Sequence, residues 1–335
     1  MPLKENGWER LVAAAAKRTE DGRRQLVPVL GSGFVTQAVL DAARSTPRGS
    51  GRRPKPVDWL ELLRGVAADF GLARAATLIE ADVPGQTTLL WDSMLTELAA
   101  ERRHPTSRAA HKWEDELRRA VAERLADDRA TERAAKPFVR SFLKLGWDDV
   151  VTFNFDSVLL GERARPEARA SGPAARASIA ATVSGGTIWF PHGHMTDPRS
   201  IVLGARAYGA RVSAMGAAFD EHARVKPPRP STRLATWVAT VLERPLFFCG
   251  LSLTREEWTI WWLLAQRARY LARRPSTERP PVFVFVRRPA PEERLEMHGA
   301  FATLSRACEL LGIDMLSFGD YGVGWRRLRR ALDWG

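Results

Sequence analysis

The chain has 335 residues, 45% of them hydrophobic and 27% charged, which is typical of an ordinary globular protein. Two cysteines, Cys249 and Cys308, are too few for a disulfide framework or a four-thiolate zinc site. There is no apolar run as long as a membrane span and no secretory-type start, so we expect a cytoplasmic protein. The net charge of +12 permits contact with nucleic acid, although the basic residues are spread along the chain as on a solvated surface.

The first part of the chain is predicted to form one strand and many helices. In order, we predict a helix over 5–18, a strand over 25–30, a helix that begins after Gly33 and a polar loop over 44–56. After this loop apolar side chains recur every three or four positions, beginning with Trp59, Leu63 and Val66. This spacing predicts a helical insertion of about 57–145 between the first and second strands.

From residue 146 onward, runs of β-forming residues alternate with helical patterns. Predicted strands lie at 149–153, 187–190, 200–203, 245–249, 282–286 and 314–318. Between them we predict helices at 232–243, around Trp258, Trp261 and Trp262, at 291–311 and around Trp325. We also predict a loop with partial helix at 162–179 and a loop at 224–233. Strands separated by helices indicate an α/β fold with a doubly wound parallel sheet. Ligands of such sheets bind at the carboxyl ends of the strands.

The segment Gly31-Ser32-Gly33 follows the first predicted strand and precedes a predicted helix. Because a helix N-terminus offers free N–H groups, this turn could cradle a phosphate. Thr36 stands where the dinucleotide-binding fingerprint has its third glycine, so a tight turn without a ligand is the other interpretation.

Two polar residues, Asn154 and Asp156, end the second predicted strand two positions apart, so both can face the same crevice. The alternative is an Asx turn that caps a following helix, which we favour for Asp156 taken alone. Together with the glycine turn, these residues indicate an enzyme that uses a nucleotide.

A histidine, His192, follows the third predicted strand between Pro191 and Gly193, where a histidine packed in the core is less expected. His194 comes two residues later, and a His-x-His pair can bind metal. No cysteine or carboxylate cluster lies nearby in the sequence to complete such a site, so we expect no metal.

The order of these motifs resembles the sirtuin-like domain of bacterial antiphage enzymes that hydrolyse NAD. The matching segments span about residues 25–265 and are Val29-Leu30-Gly31-Ser32-Gly33, Asp58-Trp59-Leu60-Glu61-Leu62-Leu63, Thr152-Phe153-Asn154-Phe155-Asp156, His192-Gly193, Val202-Leu203 with Tyr208, and Phe248-Cys249-Gly250-Leu251-Ser252-Leu253-Thr254. Each segment is short, but the ordered set is fairly specific.

The resemblance implies one sirtuin-like domain over residues 1–335, with a Rossmann-like core at about 20–45 and 146–335 that takes NAD as substrate. It implies phosphate contacts at the turn of Gly31, Ser32 and Gly33, and adenosine contacts at Gly250 and Ser252. It also implies that Asn154 and Asp156 meet the nicotinamide ribose, that Asn154 orders a water, and that His192 is the general base. Cleavage of the bond to nicotinamide develops oxocarbenium character and needs groups of these types.

The implied function is an NAD glycohydrolase that depletes NAD in antiphage defence. Two alternatives stay open: ADP-ribosyl transfer or deacylation at the same site, and a non-catalytic nucleotide-binding subunit of a nucleic-acid-directed complex. This sequence departs from the resemblance in Ser32, where alanine is more usual, and in the longer and more basic loop over 44–56. Neither departure removes a catalytic group.

An enzyme that destroys NAD must be held inactive, and the sheet and insertion use almost the whole length. We therefore expect control by self-assembly, by a partner protein such as a helicase-like ATPase or a short Argonaute-type protein, or by both, with nucleic acid reached through the partner. Trp258, Trp261 and Trp262 share a predicted helix beside Ser252 and offer either a contact surface or ordinary core.

Overall fold

A computed structural model describes residues 6–45, 59–80, 87–102, 107–127, 129–160, 164–169, 175, 177–224, 236–251, 253 and 257–334. The strands are β1 Val27–Leu30, β2 Asp149–Thr152, β3 Glu167–Ala168, β4 Ile179–Val183, β5 Gly186–Trp189, β6 Leu246–Cys249, β7 Val282–Arg287 and β8 Asp314–Phe318. The helices are α1 Asn6–Ala16, α2 Ser32–Ser45, α3 Trp59–Asp69, α4 Ala73–Glu80, α5 Thr87–Glu101, α6 Ser107–Asp127, α7 Arg129–Leu143, α8 Gly204–Arg224, α9 Trp237–Glu243, α10 Trp258–Leu271, α11 Leu295–Leu310 and α12 Tyr321–Ala331. In these residues no helix is long and apolar enough to cross a bilayer.

The described strands form one sheet of eight, in the order β3-β4-β5-β2-β1-β6-β7-β8. From β5 to β8 every neighbouring pair is parallel, whereas β3 and β4 add an antiparallel edge. The order reverses direction at β1, which lies at the centre of the sheet between β2 and β6. The predicted α/β fold with a Rossmann-like, doubly wound sheet is therefore confirmed.

Both faces of the sheet are covered, as the continuous apolar runs of its strands require. On β7, Phe283 and Phe285 pack on one face with residues of α2, α7 and α12, while Val282 and Val284 pack on the other with α9 and α10. This alternation follows from the two-residue period of a strand. The half-buried Trp261 packs on the second face, as does Trp262, which supports interpreting these two side chains as core.

The helices α3–α7 lie between β1 and β2 in the chain, as predicted for the insertion. Their own core contains Trp91, Leu117 and other buried residues of α3–α6. Phe155, which follows β2, belongs to the same core, as do Ile201 and Leu203. The insertion therefore packs directly on the loops that leave the carboxyl ends of the sheet.

In the middle of the chain the structure differs from the prediction at three places. Residues 200–203 form no strand: a 3-10 turn at Pro198–Ser200 is followed by irregular chain whose apolar side chains are buried. In the described part of 162–179, where no strand was predicted, the structure has β3 and the start of β4, and the β4–β5 hairpin turns at Ser184 and Gly185, both with positive φ. The helix α8 was not predicted.

The predicted loops over 44–56 and 224–233 fall almost entirely outside the described residues. The remaining predicted strands and helices are present, with ends that differ by a few residues. Such differences are ordinary, because helix and strand ends depend on capping and on local hydrogen bonds.

Candidate functional site

Three parallel strands end at the same level and a fourth ends one residue earlier, and the candidate residues follow these strands. Leu30 is paired with Thr152 on one side and with Cys249 on the other. Val151 is paired with Trp189, so β5 ends one residue before this level. The segments beginning at Gly31, Phe153, Phe190 and Gly250 consequently leave the sheet at one edge, where α/β proteins bind their ligands.

The glycines at this edge pack on one another. A side-chain carbon at Gly33 would lie 2.9 Å from the Cα of Gly250, and one at Gly250 would overlap the backbone nitrogen of Phe34. Gly250 also has φ +71°, a conformation that favours glycine. The N–H of Gly33 donates to the Gly250 carbonyl at 2.9 Å, and that of Gly31 donates to the Cys249 carbonyl at 3.1 Å.

Through these hydrogen bonds the glycines hold the loops after β1 and β6 together. The phosphate contact that the resemblance implies for them stays a prediction. Ser32 lies between them, is exposed, and lines a small cavity described below. Ser252 lies outside the described residues.

The polar residues after β2 reach this edge as predicted from their two-residue spacing. Asn154 is buried, and its N–H donates to the Thr152 hydroxyl at 3.2 Å. The Asp156 carboxylate accepts the N–H of Val158 at 3.0 Å, which is the Asx turn that the sequence also indicated. In the described residues no helix follows this turn, so it does not cap one.

Asn154 and Asp156 line a cavity of about 40 Å³. Its other lining residues come from the glycine turn and α2, from the loops after β2 and β5, and from the insertion: Ser32, Val35, Thr36, Ser157, Val158, Met195, Trp59, Leu125, Thr131 and Glu132. Ligand sites for organic molecules typically measure about 300–1,000 Å³. In this conformation the cavity therefore has room for water and not for a dinucleotide.

The insertion closes this cavity. The Trp59 ring of α3 packs edge-on against Phe155 with the ring centroids 5.1 Å apart. Leu125 of α6 and Thr131 and Glu132 of α7 complete the wall. The helical spacing of Trp59 indicated core packing, and none of these residues was predicted to line the site.

His192 is buried, with 7% of its surface exposed, so the expectation that it would not be packed in the core is wrong. Its ring lies edge-on to Phe153 at 4.8 Å and to Tyr208 at 5.4 Å between centroids. Burial, and secondarily the charge of Arg211, lower the pKa of His192 to about 3. At neutral pH the ring is uncharged, and one of its nitrogens can accept a proton.

His192 does not line the 40 Å³ cavity, although it follows β5, the strand that pairs with β2. The structure thus brings Asn154 and Asp156 together in one cavity and places the His192 ring among aromatic side chains beside it. Burial also raises the pKa of Tyr208.

His194 has hydrogen-bonding partners within the protein. One ring nitrogen lies 2.9 Å from the Thr196 hydroxyl and the other 3.4 Å from the Ser157 hydroxyl. Burial lowers its pKa to about 4. Among the described residues no group of three or more His, Cys, Asp or Glu side chains could hold a metal ion.

The turn that carries both histidines rests on the irregular segment 198–203. Gly193 has φ +84°, and any side chain there would overlap the Ser200 carbonyl. The Ser200 hydroxyl accepts the N–H of His194 at 2.9 Å, and the Val202 N–H donates to the His192 carbonyl at 2.8 Å. The misassigned segment 200–203 is therefore the support of the candidate catalytic turn.

Sequence reasoning missed Arg211 of α8. It is 3% exposed, donates to the Ser200 carbonyl at 3.4 Å, and is the charge that acts on His192. Its position one helical turn after Tyr208 is a usable signal, because residues three apart share a helix face.

The family model described as a SIR2-like domain matches residues 148–304 of this chain. The matched region begins just before β2 and ends within α11, so it contains Asn154, Asp156, His192 and Gly250. The comparison with curated proteins found no match. The predicted resemblance to a sirtuin-like domain is confirmed over residues 148–304, a little under half of the chain, and SIR2-like domains are NAD-dependent enzymes. The glycine turn after β1 and the insertion lie outside the matched region.

Proposed function

We propose that this protein is an NAD glycohydrolase, which converts NAD and water into nicotinamide and ADP-ribose. One observation carries the proposal: Asn154, Asp156 and His192 follow neighbouring parallel strands whose carboxyl ends lie within one residue of each other, beside a glycine turn that opens a helix. An amide, a carboxylate and an uncharged imidazole are the groups that hydrolysis of an N-glycosidic bond requires.

In the proposed reaction the bond between ribose C1′ and the nicotinamide nitrogen breaks, and its electron pair leaves with nicotinamide. A water held by Asn154 adds its oxygen to C1′, and the proton it loses goes to His192. Asp156 stabilises the positive charge that develops on the ribose ring. The depressed pKa of His192 keeps its ring uncharged before the reaction, so a lone pair is free to accept this proton.

The small volume of the cavity supports a second element of the proposal. NAD enters only when the walls around Asn154 separate, and we propose that the wall built by α3, α6 and α7 is the one that moves. Opening also admits water to His192, which reduces the desolvation that lowers its pKa. We infer that the described conformation is inactive.

We propose that opening requires assembly, either of several copies of this chain or with a partner such as a helicase-like ATPase or a short Argonaute-type protein. The partner would supply any contact with nucleic acid. The role we propose is antiphage defence in the cytoplasm by depletion of NAD, for which a closed resting site is an advantage because uncontrolled hydrolysis would harm the cell.

The direct test incubates the purified chain with NAD, alone and with the product of the neighbouring gene. We expect equal amounts of nicotinamide and ADP-ribose, without an acceptor protein. ADP-ribose that appears only when attached to a protein, or turnover only with an acylated peptide, would assign transferase or deacylase chemistry. No nicotinamide under any of these conditions would leave a nucleotide-binding subunit as the function.

Assembly is tested separately by light scattering and by NAD turnover over a concentration series. We expect the specific activity to rise with protein concentration or on addition of the partner. A monomer with full activity at every concentration, unaffected by any partner, contradicts control by assembly and leaves the hydrolase proposal intact.

A further inference from the structure

A second cavity, of about 1020 Å³, lies between α7, the segment 158–160 and the face of the sheet formed by β2 and β5. Sites that hold organic molecules typically measure about 300–1,000 Å³, so this cavity matches the upper end of that range. It is far larger than the cavity of about 40 Å³ around Asn154. We call it the α7 groove.

The path of the chain between β2 and β5 explains why this space exists. Parallel strands are usually joined by a helix that crosses one face of the sheet. Here the described residues between the two strands include no α-helix and form β3 and β4 at the edge of the sheet. The segment 158–160 covers the face only in part, which leaves the α7 groove beside it.

The floor of the α7 groove is apolar. Val150 of β2 and Ile188 of β5 line it from the sheet, and Val139 and Leu143 line it from α7. Leu143 is only half-buried, as is Val183 at the end of β4, so both keep apolar surface in contact with solvent. An apolar ligand that covers this surface gains hydrophobic free energy.

The rim of the α7 groove carries two exposed cations, Arg140 and Lys144. Neither side chain forms an ion pair with a residue that the structure describes. The N–H of Lys144 donates to the Arg140 carbonyl at 3.0 Å, so the two residues keep the one-turn spacing of a helix. At this spacing the Cβ atoms are about 5–6 Å apart, and both charges can reach one anionic group.

Two further cations at the α7 groove have partners within the protein. Arg23 donates to the carbonyls of Ser184 at 2.7 Å and of Trp147 at 3.4 Å, and Lys136 also interacts with other groups. Arg23 thus holds the turn between β4 and β5 against the chain before β2. No described residue that lines the α7 groove is acidic.

We propose that the α7 groove binds an organic anion that joins one charged group to an apolar chain. The charged group lies between Arg140 and Lys144, and the apolar chain covers the floor formed by α7, β2 and β5. Removal of apolar surface from water supplies the affinity, and the two cations select a negative charge over a positive one. The site goes beyond the proposed NAD hydrolysis and does not depend on it.

The α7 groove and the cavity around Asn154 lie on two sides of one segment. Among the described residues Val158 alone lines both, and its N–H donates to the Asp156 carboxylate at 3.0 Å. The Leu160 N–H donates to the Ser157 carbonyl at 2.8 Å, which makes this segment a compact turn. A ligand in the α7 groove therefore contacts the turn that Asp156 holds.

The test measures binding of decanoate to the full chain without NAD, by titration calorimetry at concentrations below those at which decanoate forms micelles. Decyltrimethylammonium, with a chain of similar length and the opposite charge, is the comparison ligand. The groove variant is Arg140→Gln with Lys144→Gln, since both side chains are exposed. Arg326→Gln with Arg330→Gln is the matched control, because it removes two exposed charges at the same spacing from α12.

We expect saturable binding of decanoate and much weaker binding of decyltrimethylammonium. In the groove variant the dissociation constant of decanoate should rise at least about fivefold, because two attractive charges are lost, and in the α12 control it should not change. No saturable binding, equal affinity for the two ligands, or equal affinity of the wild type and the groove variant overturns the proposal.

Hydrogen exchange followed by mass spectrometry locates the bound decanoate. A ligand suppresses local opening where it binds, so exchange should slow in 158–160 and 182–188 and stay unchanged in α11. Protection confined to other segments would contradict the α7 groove as the site, even if the groove variant binds decanoate more weakly.

Discussion

Two pairs of loops at the same edge of the sheet are built in opposite ways. We call the loops after β1 and β6 the first crossing and the loops after β2 and β5 the second crossing. At the ends of β1 and β6 the backbones are in contact, because Gly31, Gly33 and Gly250 leave no room for side chains. The N–H groups of Gly31 and Gly33 donate to the carbonyls of Cys249 and Gly250. At the ends of β2 and β5 buried side chains fill the space, among them Asn154 and His192. Any added side-chain atom should therefore disturb the first crossing, whereas the second crossing should be disturbed by any change in the polar side chains that it buries.

The difference indicates that one edge of a sheet can have a part that is mainly structural and a part that holds reactive groups. A backbone crossing sets the distance between two loops and depends little on which polar groups surround it. The other crossing holds groups whose protonation and hydrogen bonding decide a reaction, and it buries them at a cost in free energy. Substitutions in each of the two crossings test this difference.

The largest effect is expected at the second crossing, for His192→Ala. Loss of a general base lowers the rate typically by about 10²–10⁴-fold, so nicotinamide release should fall by at least about 100-fold. The measurement is NAD turnover of protein that circular dichroism shows to be folded. His298→Ala, a half-buried histidine on α11, is the matched control and should keep its activity. Normal turnover of folded His192→Ala would remove His192 as the base.

Asn154→Ala should be similarly inactive but should still bind NAD. The amide orders a water that matters in the transition state more than in the bound substrate, so kcat should fall while the dissociation constant of NAD changes little. Turnover and NAD binding by calorimetry are measured on the same preparation. If turnover is retained, Asn154 has no role beyond the turn after β2.

Gly250→Ala tests the first crossing, with Gly71→Ala as a matched control. The two glycines have φ values of +71° and +72°, but a side chain at Gly71 meets nothing within 4 Å. Each substitution should cost about 1–2 kcal/mol for the left-handed conformation, and Gly250→Ala a further ~1–3 kcal/mol for the overlap with Phe34. Urea unfolding gives both values, and equal losses would mean that the loops separate without cost.

Acid should destabilise the protein through the second crossing. Burial lowers the pKa values of His192 and His194 to about 3 and about 4, below the ordinary value of 6.5 that applies when the chain is unfolded. The unfolded chain therefore binds more protons between these limits. Stability is fully present above about pH 6.5 and is lost as the pH falls toward 3, by an amount on the order of a few kcal/mol.

The check is the free energy of unfolding at several pH values for the wild type and for His194→Gln. The variant should show a smaller decrease between pH 6.5 and pH 4, since one proton-binding difference is gone. Equal slopes in the two proteins would show that other groups dominate acid unfolding.

The smallest effect is expected for Ser32→Ala in the first crossing. Ser32 is exposed, and the contacts that define its turn are made by the backbone of the glycines on either side. The KM for NAD should change by less than about threefold, because removal of one exposed hydroxyl leaves those backbone hydrogen bonds in place. A large rise in KM would indicate that the hydroxyl itself contacts the substrate.

Local patterns in the sequence determined the strand–helix alternation and the positions of the candidate groups. A buried parallel strand such as β7 is a continuous apolar run, and polar residues directly after a strand must lie at the edge where ligands bind. Asn154, Asp156 and the glycine turn were recognised on these grounds. The period of 3.6 residues was enough to identify the insertion.

Tertiary structure alone decided which of these groups are accessible. His192 follows a strand as the sequence indicates, but its burial comes from Phe153 and Tyr208 in other elements. Residues 200–203 have the composition of a strand, yet they are irregular because their backbone and side chains find partners in the turn of His192 and in the insertion. Propensity gives way where such long-range contacts are stronger.

The four arginines around one cavity, Arg118, Arg199, Arg206 and Arg211, are the clearest case of the same limit. They lie on α6, on the segment 198–203 and on α8, and nothing in their spacing along the chain indicates that these three elements meet. A sequence pattern reports neighbours along one element, whereas charge that accumulates around a cavity depends on how separate elements pack. Sequence therefore determined the fold and the candidate groups, and packing decided their burial, their protonation and the closed state of the cavity.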